Sequence, residues 1–129
     1  KNRLAVTLPE ANIIKMKYGL GRSKKQDEIR EALSGQLTLL TKEIRRVVRY
    51  YEERTEGKSN IGQIITMGGG ANMPGLTDYL TDTLRLPTRM CNFWSNVDLH
   101  KLSAPNEGER SIYVSVAGAA LINPKEIWK

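Results

Sequence analysis

Residues 61–76 read Ile61-Gly-Gln-Ile-Ile-Thr-Met-Gly-Gly-Gly-Ala-Asn-Met-Pro-Gly-Leu76. The run from Gln63 to Met67 is short and rich in β-branched and apolar residues, which predicts a buried strand. After three glycines, Asn72 is a candidate N-cap and Pro74 is tolerated in a first helical turn. The apolar face of that helix is predicted at Leu76, Tyr79, Leu80 and Leu84. The stretch therefore predicts a strand, a glycine turn and a helix.

The glycine turn predicts a surface where backbone can approach a ligand. Glycine permits positive φ and has no Cβ, and a helix start offers N–H groups that lack partners. Such a surface suits a flat or anionic ligand. The same turn occurs in α/β domains that bind nothing there, so a purely structural turn is an equally good interpretation of these residues alone.

The composition is that of one globular domain, or of one contiguous piece of a larger protein. The chain has 129 residues, of which 40% are hydrophobic and 26% charged, and this length is enough for a core. Its longest apolar stretch, Val114 to Ile122, is far shorter than a membrane span, and no signal peptide is visible, so no direct membrane insertion is expected. One cysteine and one histidine argue against a zinc site, and no metal site is predicted.

The net charge of +6 is concentrated in the first half of the chain. Residues 1–58 hold 14 Lys and Arg against 8 Asp and Glu, whereas residues 59–129 hold 6 of each. A basic segment can bind nucleic acid or acidic lipid. Here glutamates interrupt the positive charges and no base-stacking aromatic pattern accompanies them. A solvated helix face is favoured, and no nucleic-acid partner is expected.

Hydrophobic periodicity predicts two helices before residue 61. Residues 8–18 form a short helix that Thr7 and Glu10 cap and that ends at Gly19 or Gly21. Residues 27–54 form a long helix of roughly 40 Å, which Gly35 could bend or break. The apolar face of the long helix comprises Ile29, Leu33, Leu37, Leu40, Ile44, Val47 or Val48, and Tyr51.

The remaining residues predict a strand, a loop and a last helix. Leu86 to Cys91 suits a second short strand, and residues 92–110 suit a long loop with one helical turn around Val97 to Leu102. Residues 111–122 predict a nearly all-apolar helix, whose small residues Ala117 to Ala120 allow close packing against a sheet. Asn123-Pro124 is the predicted helix end.

No catalytic residue is predicted. Asp98 and His100 lie two residues apart in a predicted loop, and the sequence contains no nucleophile elbow. The chain also lacks the P-loop motif, and Gly68, Gly70 and Gly75 have the wrong spacing for a Rossmann turn.

The order of the motifs resembles the type IV pilus assembly protein PilM family of the actin-like ATPases. The run Ile64 to Leu80 is similar to the adenosine-binding motif of that superfamily. Four flanking segments also resemble segments of the family: Ala11 to Gly19, Leu39 to Tyr51, Leu86 to Trp94, and Val114 to Leu121. Two residues depart from the family pattern, since Asn12 stands where Glu is usual and Phe93 stands where Pro is common. The resemblance covers nearly the whole chain.

This resemblance implies an α/β chain with a partial actin-like (ribonuclease H-like) fold. The chain would be the C-terminal part of the second lobe, with a long helix and short β-strands. Residues 1–58 would form the helical part of the peripheral, IIB-like subdomain, and residues 59–129 the C-terminal part of the large, IIA-like subdomain with the adenosine motif. The abrupt start at Lys1, without Met, agrees with an excised C-terminal fragment.

The resemblance also implies a set of cofactor-binding residues. On the adenosine side of the interlobe cleft these are Gly68, Gly69, Gly70 and Ala71, with Asn72 and Pro74 shaping the loop. The helix that bears Lys42, Glu43 and Arg46 would face the base and ribose, and which of these three side chains points inward stays open. The implied cofactor is ATP with Mg²⁺ in the intact protein. The phosphate-clasping hairpins of the family precede this segment, so we expect no stably bound cofactor and no hydrolysis by this chain alone.

The implied function is that of a cytoplasmic ATP-binding assembly factor, peripheral to the inner membrane in a type IV pilus machine, with at most slow hydrolysis. Its platform partner PilN would bind the absent first lobe, and homo-oligomer formation stays open. The nearest alternative is an FtsA-like division protein, although the tail 123–129 is too short to form the amphipathic membrane anchor of such a protein. A second alternative is a basic nucleic-acid-binding module that uses Arg45, Arg46 and Arg49. A third is a scaffold domain whose glycine loop is only a turn.

Overall fold

The computed structural model describes residues 5–56 and 59–122. Within these ranges the helices and strands follow in the order α1 (Leu8–Lys17), α2 (Gln26–Arg54), β1 (Ile64–Thr66), α3 (Leu76–Leu84), β2 (Thr88–Met90), α4 (Glu107–Arg110) and α5 (Val114–Ala120). Short 3₁₀-helices occupy Gly69–Asn72 and Phe93–Asn96. The mixture of helices with parallel strands confirms the predicted α/β class.

Helix α1 is defined by its caps rather than by burial. The Thr7 amide donates to Glu10 Oε2 over 2.8 Å, and the Glu10 amide donates to Thr7 Oγ1 over 3.5 Å. This is the predicted capping box. The helix ends at Lys17 with Tyr18 as its C-cap, and the predicted stop residue Gly19 follows with a left-handed φ of +49°. Its predicted apolar side is not buried, because Leu8 and Ile13 are 61% and 62% exposed.

Helix α2 is continuous over 29 residues, which corresponds to about 43 Å. The predicted bend or break at Gly35 does not occur. A Cβ at Gly35 would meet no atom within 4 Å, so the glycine is tolerated as an exposed helical residue. The predicted apolar face is buried at Ile29 and Leu37, whereas Leu40 and Tyr51 are exposed.

Strands β1 and β2 pair in parallel, with Ile64 opposite Thr88 and Thr66 opposite Met90. Parallel neighbours need a crossover connection, and α3 supplies it. The predicted N-cap at Asn72 is wrong: α3 begins after Gly75, whose φ is +74°. The Asn72 side chain bonds instead to residues of the C-terminal segment. The helix ends at Leu84, as predicted.

The core lies where the α1–α2 connection and α2 pack against α3. Its buried side chains are Leu20, Leu37, Leu76 and Leu80, with Leu33, Ile44, Met73, Tyr79 and Leu84 around them. The Leu20 amide also donates to the Pro74 carbonyl over 2.7 Å. The loop before α2 is therefore fixed to the residues just before α3.

The segment after β2 differs most from the prediction. Residues 97–102 form no helical turn; the turns are at Phe93–Asn96 and in α4, where Asn106 accepts from the Glu109 amide as a side-chain cap. Helix α5 is shorter than the predicted 111–122, and of its residues Val114 is buried. The predicted close packing of α5 does not occur at Gly118, since a Cβ there would meet nothing within 4 Å. The predicted stop at Asn123-Pro124 lies outside the described residues.

Candidate functional site

The glycine loop, defined here as Gly68 to Asn72, connects the end of β1 to the approach to α3. Gly68 has φ +88° and ψ 169°, and the next four residues form a 3₁₀-helix. The Ala71 amide donates to the Gly68 carbonyl over 3.0 Å, and the Met73 amide to the Gly70 carbonyl over 3.2 Å. Ala71 is buried and anchors the loop, whereas Gly69 and Gly70 are exposed.

The three glycines of this loop meet different physical requirements. Gly68 adopts backbone angles that are essentially restricted to glycine. Gly69 and Gly70 have no positive φ. A Cβ at Gly69 would lie 3.8 Å from Ile112 Cγ1, an ordinary contact, and a Cβ at Gly70 would meet nothing within 4 Å. The described fold therefore requires glycine at one of the three positions and leaves exposed, Cβ-free backbone at the other two.

The Asn72 and Ser111 side chains hold the loop to the C-terminal segment. Asn72 Nδ2 donates to the Gly108 carbonyl over 2.6 Å, and Ser111 Oγ lies 2.7 Å from Asn72 Oδ1 and 3.1 Å from the Gly68 carbonyl. The single hydroxyl proton is donated to one of these two acceptors at a time. The Gly68 amide in turn donates to the Ser111 carbonyl over 2.8 Å. The Asn72 side chain thus ties the loop to the C-terminal segment.

Sequence reasoning missed the part that Gly108 and Ser111 play. Ser111 is 3% exposed, although it is polar, and it is 43 residues from Gly68 along the chain. Nothing local in the sequence marks such a bond. A nearby tie, Trp94 Nε1 donating to the Arg110 carbonyl over 2.8 Å, fastens the residues after β2 to the same segment.

The three predicted site residues of α2 lie elsewhere. Arg45 donates to the Thr83 carbonyl, which places this part of α2 beside the C-terminal turn of α3, whereas the glycine loop precedes the N-terminal turn. Glu43 Oε2 and Arg46 Nη2 form an exposed pair 2.5 Å apart, and Lys42 and Arg46 line a groove on α2. The structure brings Gly68, Gly69, Gly70, Ala71 and Asn72 together, and it does not bring Lys42, Glu43 and Arg46 to them.

Asp98 and His100 form an exposed contact in the loop after β2. His100 Nδ1 lies 3.4 Å from Asp98 Oδ2, and the two side chains are 83% and 77% exposed. The His100 amide also donates to Asp98 Oδ1 over 2.8 Å. Both side chains are at the surface, and the contact closes a turn.

The fold and the loop define the class of protein as α/β, with a β1–α3 connection whose backbone is open at two glycines. In a comparison with protein families, the model described as type IV pilus assembly protein PilM matches residues 1–122. The chain belongs to this family, as the motifs predicted. Comparisons with curated proteins and with solved structures give no significant match. Among the helices in residues 5–56 and 59–122, none has both the length and the apolar character that a bilayer span needs.

Proposed function

We propose that this chain supplies the adenosine-binding surface of an ATP-binding pilus assembly factor. The observation that carries the proposal is the glycine loop, where Gly69 and Gly70 are open to solvent and the described fold gives no reason for glycine at either position. A missing Cβ lets a flat purine lie directly on the backbone. The resemblance of residues 64–80 to the adenosine motif supports the same ligand.

The bonds around the loop make it a preorganised surface. Ser111 and Asn72 bond to each other and to the backbone of Gly68 and Gly108, so bonds to the C-terminal segment add to those within the loop. Binding to a backbone that is already fixed costs less conformational entropy than binding that must first order a mobile segment of the protein.

Lys42, Glu43 and Arg46 form a second part of the proposal. The resemblance assigns them to the base and ribose, but the structure places them near the C-terminal turn of α3. Their contribution is therefore measured separately from that of the loop.

In the whole assembly factor, we place this surface in an actin-like second lobe, with residues 1–58 and 59–129 as its IIB-like and IIA-like parts. ATP with Mg²⁺ would be shared with the first lobe, and nucleotide state would be coupled to lobe closure and to affinity for a PilN-like platform protein. The protein would act in the cytoplasm at the inner membrane. These assignments follow from the resemblance of the motifs.

The test compares Gly70→Ala with Gly62→Ala by calorimetric titration of adenosine and of ATP. Both glycines are exposed and have free space at the Cβ position, so neither substitution should destabilise the fold. We expect Gly70→Ala to weaken adenosine binding about tenfold or more, which is about 1.4 kcal/mol, and Gly62→Ala to leave it unchanged. Alanine variants of Lys42, Glu43 and Arg46 are titrated alongside, with Arg30→Ala as their control. Equal binding of adenosine by Gly70→Ala and the unaltered chain would refute the loop assignment.

A further inference from the structure

A buried hydroxyl of the C-terminal segment reaches the glycine loop. Ser111 is 3% exposed, and its Oγ lies 2.7 Å from Asn72 Oδ1 and 3.1 Å from the Gly68 carbonyl oxygen. A buried hydroxyl is costly unless it is hydrogen-bonded. Both of its partners here belong to the loop, so the burial of Ser111 depends on the conformation of the loop.

The hydroxyl proton of Ser111 has one preferred acceptor. The Gly68 carbonyl already accepts from the Ala71 amide over 3.0 Å. Asn72 Oδ1 accepts from no other donor within residues 5–56 and 59–122. Because a hydroxyl has a single proton, donation to Asn72 satisfies both acceptors, whereas donation to Gly68 leaves Asn72 Oδ1 without a donor.

This donation fixes the orientation of the Asn72 amide. With Oδ1 towards Ser111, Nδ2 donates to the Gly108 carbonyl over 2.6 Å. A flipped amide would place Oδ1 against the Gly108 carbonyl, and two acceptors would then face each other. Asn72 is the last residue of the 3₁₀-helix that contains the two open glycines. Its side chain therefore holds the end of the loop that follows them.

The segment that carries Gly108 and Ser111 is itself held on the side away from the loop. Trp94 Nε1 donates to the Arg110 carbonyl over 2.8 Å, and the Asn106 side chain caps α4. Both bonds involve residues within five positions of Ser111 or directly beside it. The loop is thus tied to a segment that has its own supports, and a tie of this kind can restrain the loop.

We propose that Ser111 is a positioning residue for the adenosine surface. Its hydroxyl fixes the Asn72 side chain and, through it, the backbone of Gly69 and Gly70 on which the ligand lies. The inference rests on the proposed function and deepens it, and it gives Ser111 no contact with the ligand. Without the hydroxyl, the loop holds its binding conformation in a smaller fraction of molecules, and the apparent affinity falls by that fraction.

The test compares Ser111→Ala with the matched control Ser115→Ala in the isotope-labelled full chain. Ser115 is exposed in α5, and its hydroxyl lies 3.9 Å from Met67 Sδ, which is a weak acceptor. The control therefore removes a nearby hydroxyl and leaves the bonds of the loop intact. Ser111→Cys replaces the hydroxyl by a weak donor that still fills the site, and it takes the place of the alanine variant if that variant does not fold.

The free chain reports positioning without any ligand. The Gly68 amide donates to the Ser111 carbonyl, and we expect Ser111→Ala to speed its hydrogen exchange about tenfold or more while the amides of α2 keep their protection. The resonances of the Asn72 side-chain amide should shift in the same variant. A loss of global stability alone would instead speed the exchange of the α2 and α3 amides by the same factor.

The same samples are then titrated with adenosine. We expect Ser111→Ala to bind about fivefold or more weakly, since fewer molecules hold the binding conformation of the loop. Ser111→Cys should lie between this variant and the unaltered chain. Ser115→Ala should keep the affinity within about twofold, since its hydroxyl has no bond to the loop.

The outcomes separate this inference from the proposed function. Equal affinity of Ser111→Ala and the unaltered chain would overturn the inference and leave the proposed function standing. An equal loss in Ser115→Ala would also overturn it, because the effect would not belong to the hydroxyl at the loop. If the unaltered chain binds no adenosine, the proposed function fails. The free chain then still decides the positioning, which unchanged Gly68 exchange and unchanged Asn72 resonances in Ser111→Ala would refute.

Discussion

At the scale of single residues, the glycines of residues 61–76 separate into structural and open positions. Gly68 combines φ +88° with ψ 169°, a region in which a side chain is strained. Gly70 has ordinary φ and free space around it. The sequence alone does not distinguish the three consecutive glycines, because the φ angle of each depends on the path that the backbone takes after β1.

Gly68→Ala should lower the free energy of unfolding by about 1–3 kcal/mol, because the substituted residue keeps a backbone conformation that alanine disfavours. Gly70→Ala should change it by less than about 0.5 kcal/mol or raise it slightly, since alanine restricts the unfolded chain. Urea unfolding of both variants measures the difference. Equal losses in the two variants would contradict the distinction between the glycines.

At the scale of elements, the capped helix α1 and the periodic helix α2 were predictable from sequence, whereas the short helices after β2 were not. Thr7 and Glu10, and the three- and four-residue steps of Ile29, Leu33 and Leu37, determine α1 and α2 through local bonds and one buried face. The same reasoning failed for residues 97–102 and 111–122. Distant bonds such as Trp94 to Arg110 tie this segment, and no local pattern encodes them. The Asn106 cap of α4 is a local signal that the prediction of a loop overlooked.

Helix α1 also gives a pH-dependent prediction, because its capping box has a titratable member. Hydrogen bonds from the Thr7 side chain and backbone lower the pKa of Glu10 below its ordinary value of 4.5. The stabilisation of α1 is therefore complete above pH 4.5 and is lost as the pH falls through the lowered pKa.

An NMR titration of the Glu10 carboxyl, together with the α1 amides, measures this effect. Thr7→Val removes the hydroxyl bond and should move the pKa of Glu10 back towards its ordinary value, with α1 fraying at a higher pH than in the unaltered chain. A Glu10 carboxyl that titrates identically with and without the Thr7 hydroxyl would show that the capping box does not form in solution.

At the scale of the whole molecule, the first half of the chain makes close backbone contacts with Pro74 and Gly75, which follow the glycine loop. A Cβ on Gly75 would lie 2.7 Å from the Leu20 carbonyl carbon, and one on Gly19 would lie 2.6 Å from the Pro74 carbonyl oxygen. Both glycines also have positive φ. Gly19 was predictable as a helix end, but its contact with Pro74 depends on tertiary packing and could not be predicted.

Gly75→Ala should therefore destabilise the chain by about 2–5 kcal/mol, the sum of a left-handed backbone penalty and overpacking against backbone atoms. Gly118→Ala is the control, since its Cβ would meet nothing within 4 Å. Urea unfolding measures both variants. A loss below about 1 kcal/mol for Gly75→Ala would mean that the two segments separate easily.

The candidate site was predictable in part for the same physical reasons. The strand, glycines and helix of residues 61–84 form one local unit, so its loop was found from sequence. The bonds from Ser111 and Gly108 to that loop, and the position of Lys42 to Arg46 beside the far end of α3, depend on how separate elements pack.

The most direct test of the proposed function is a titration of the isotope-labelled chain with adenosine, followed through its backbone amide resonances. Adenosine carries no phosphate, so nonspecific attraction to the basic side chains of α2 does not contribute. The account predicts saturable shifts at Gly68 to Asn72 that Gly70→Ala weakens. Saturable shifts confined to other residues, or none at millimolar adenosine, would contradict it.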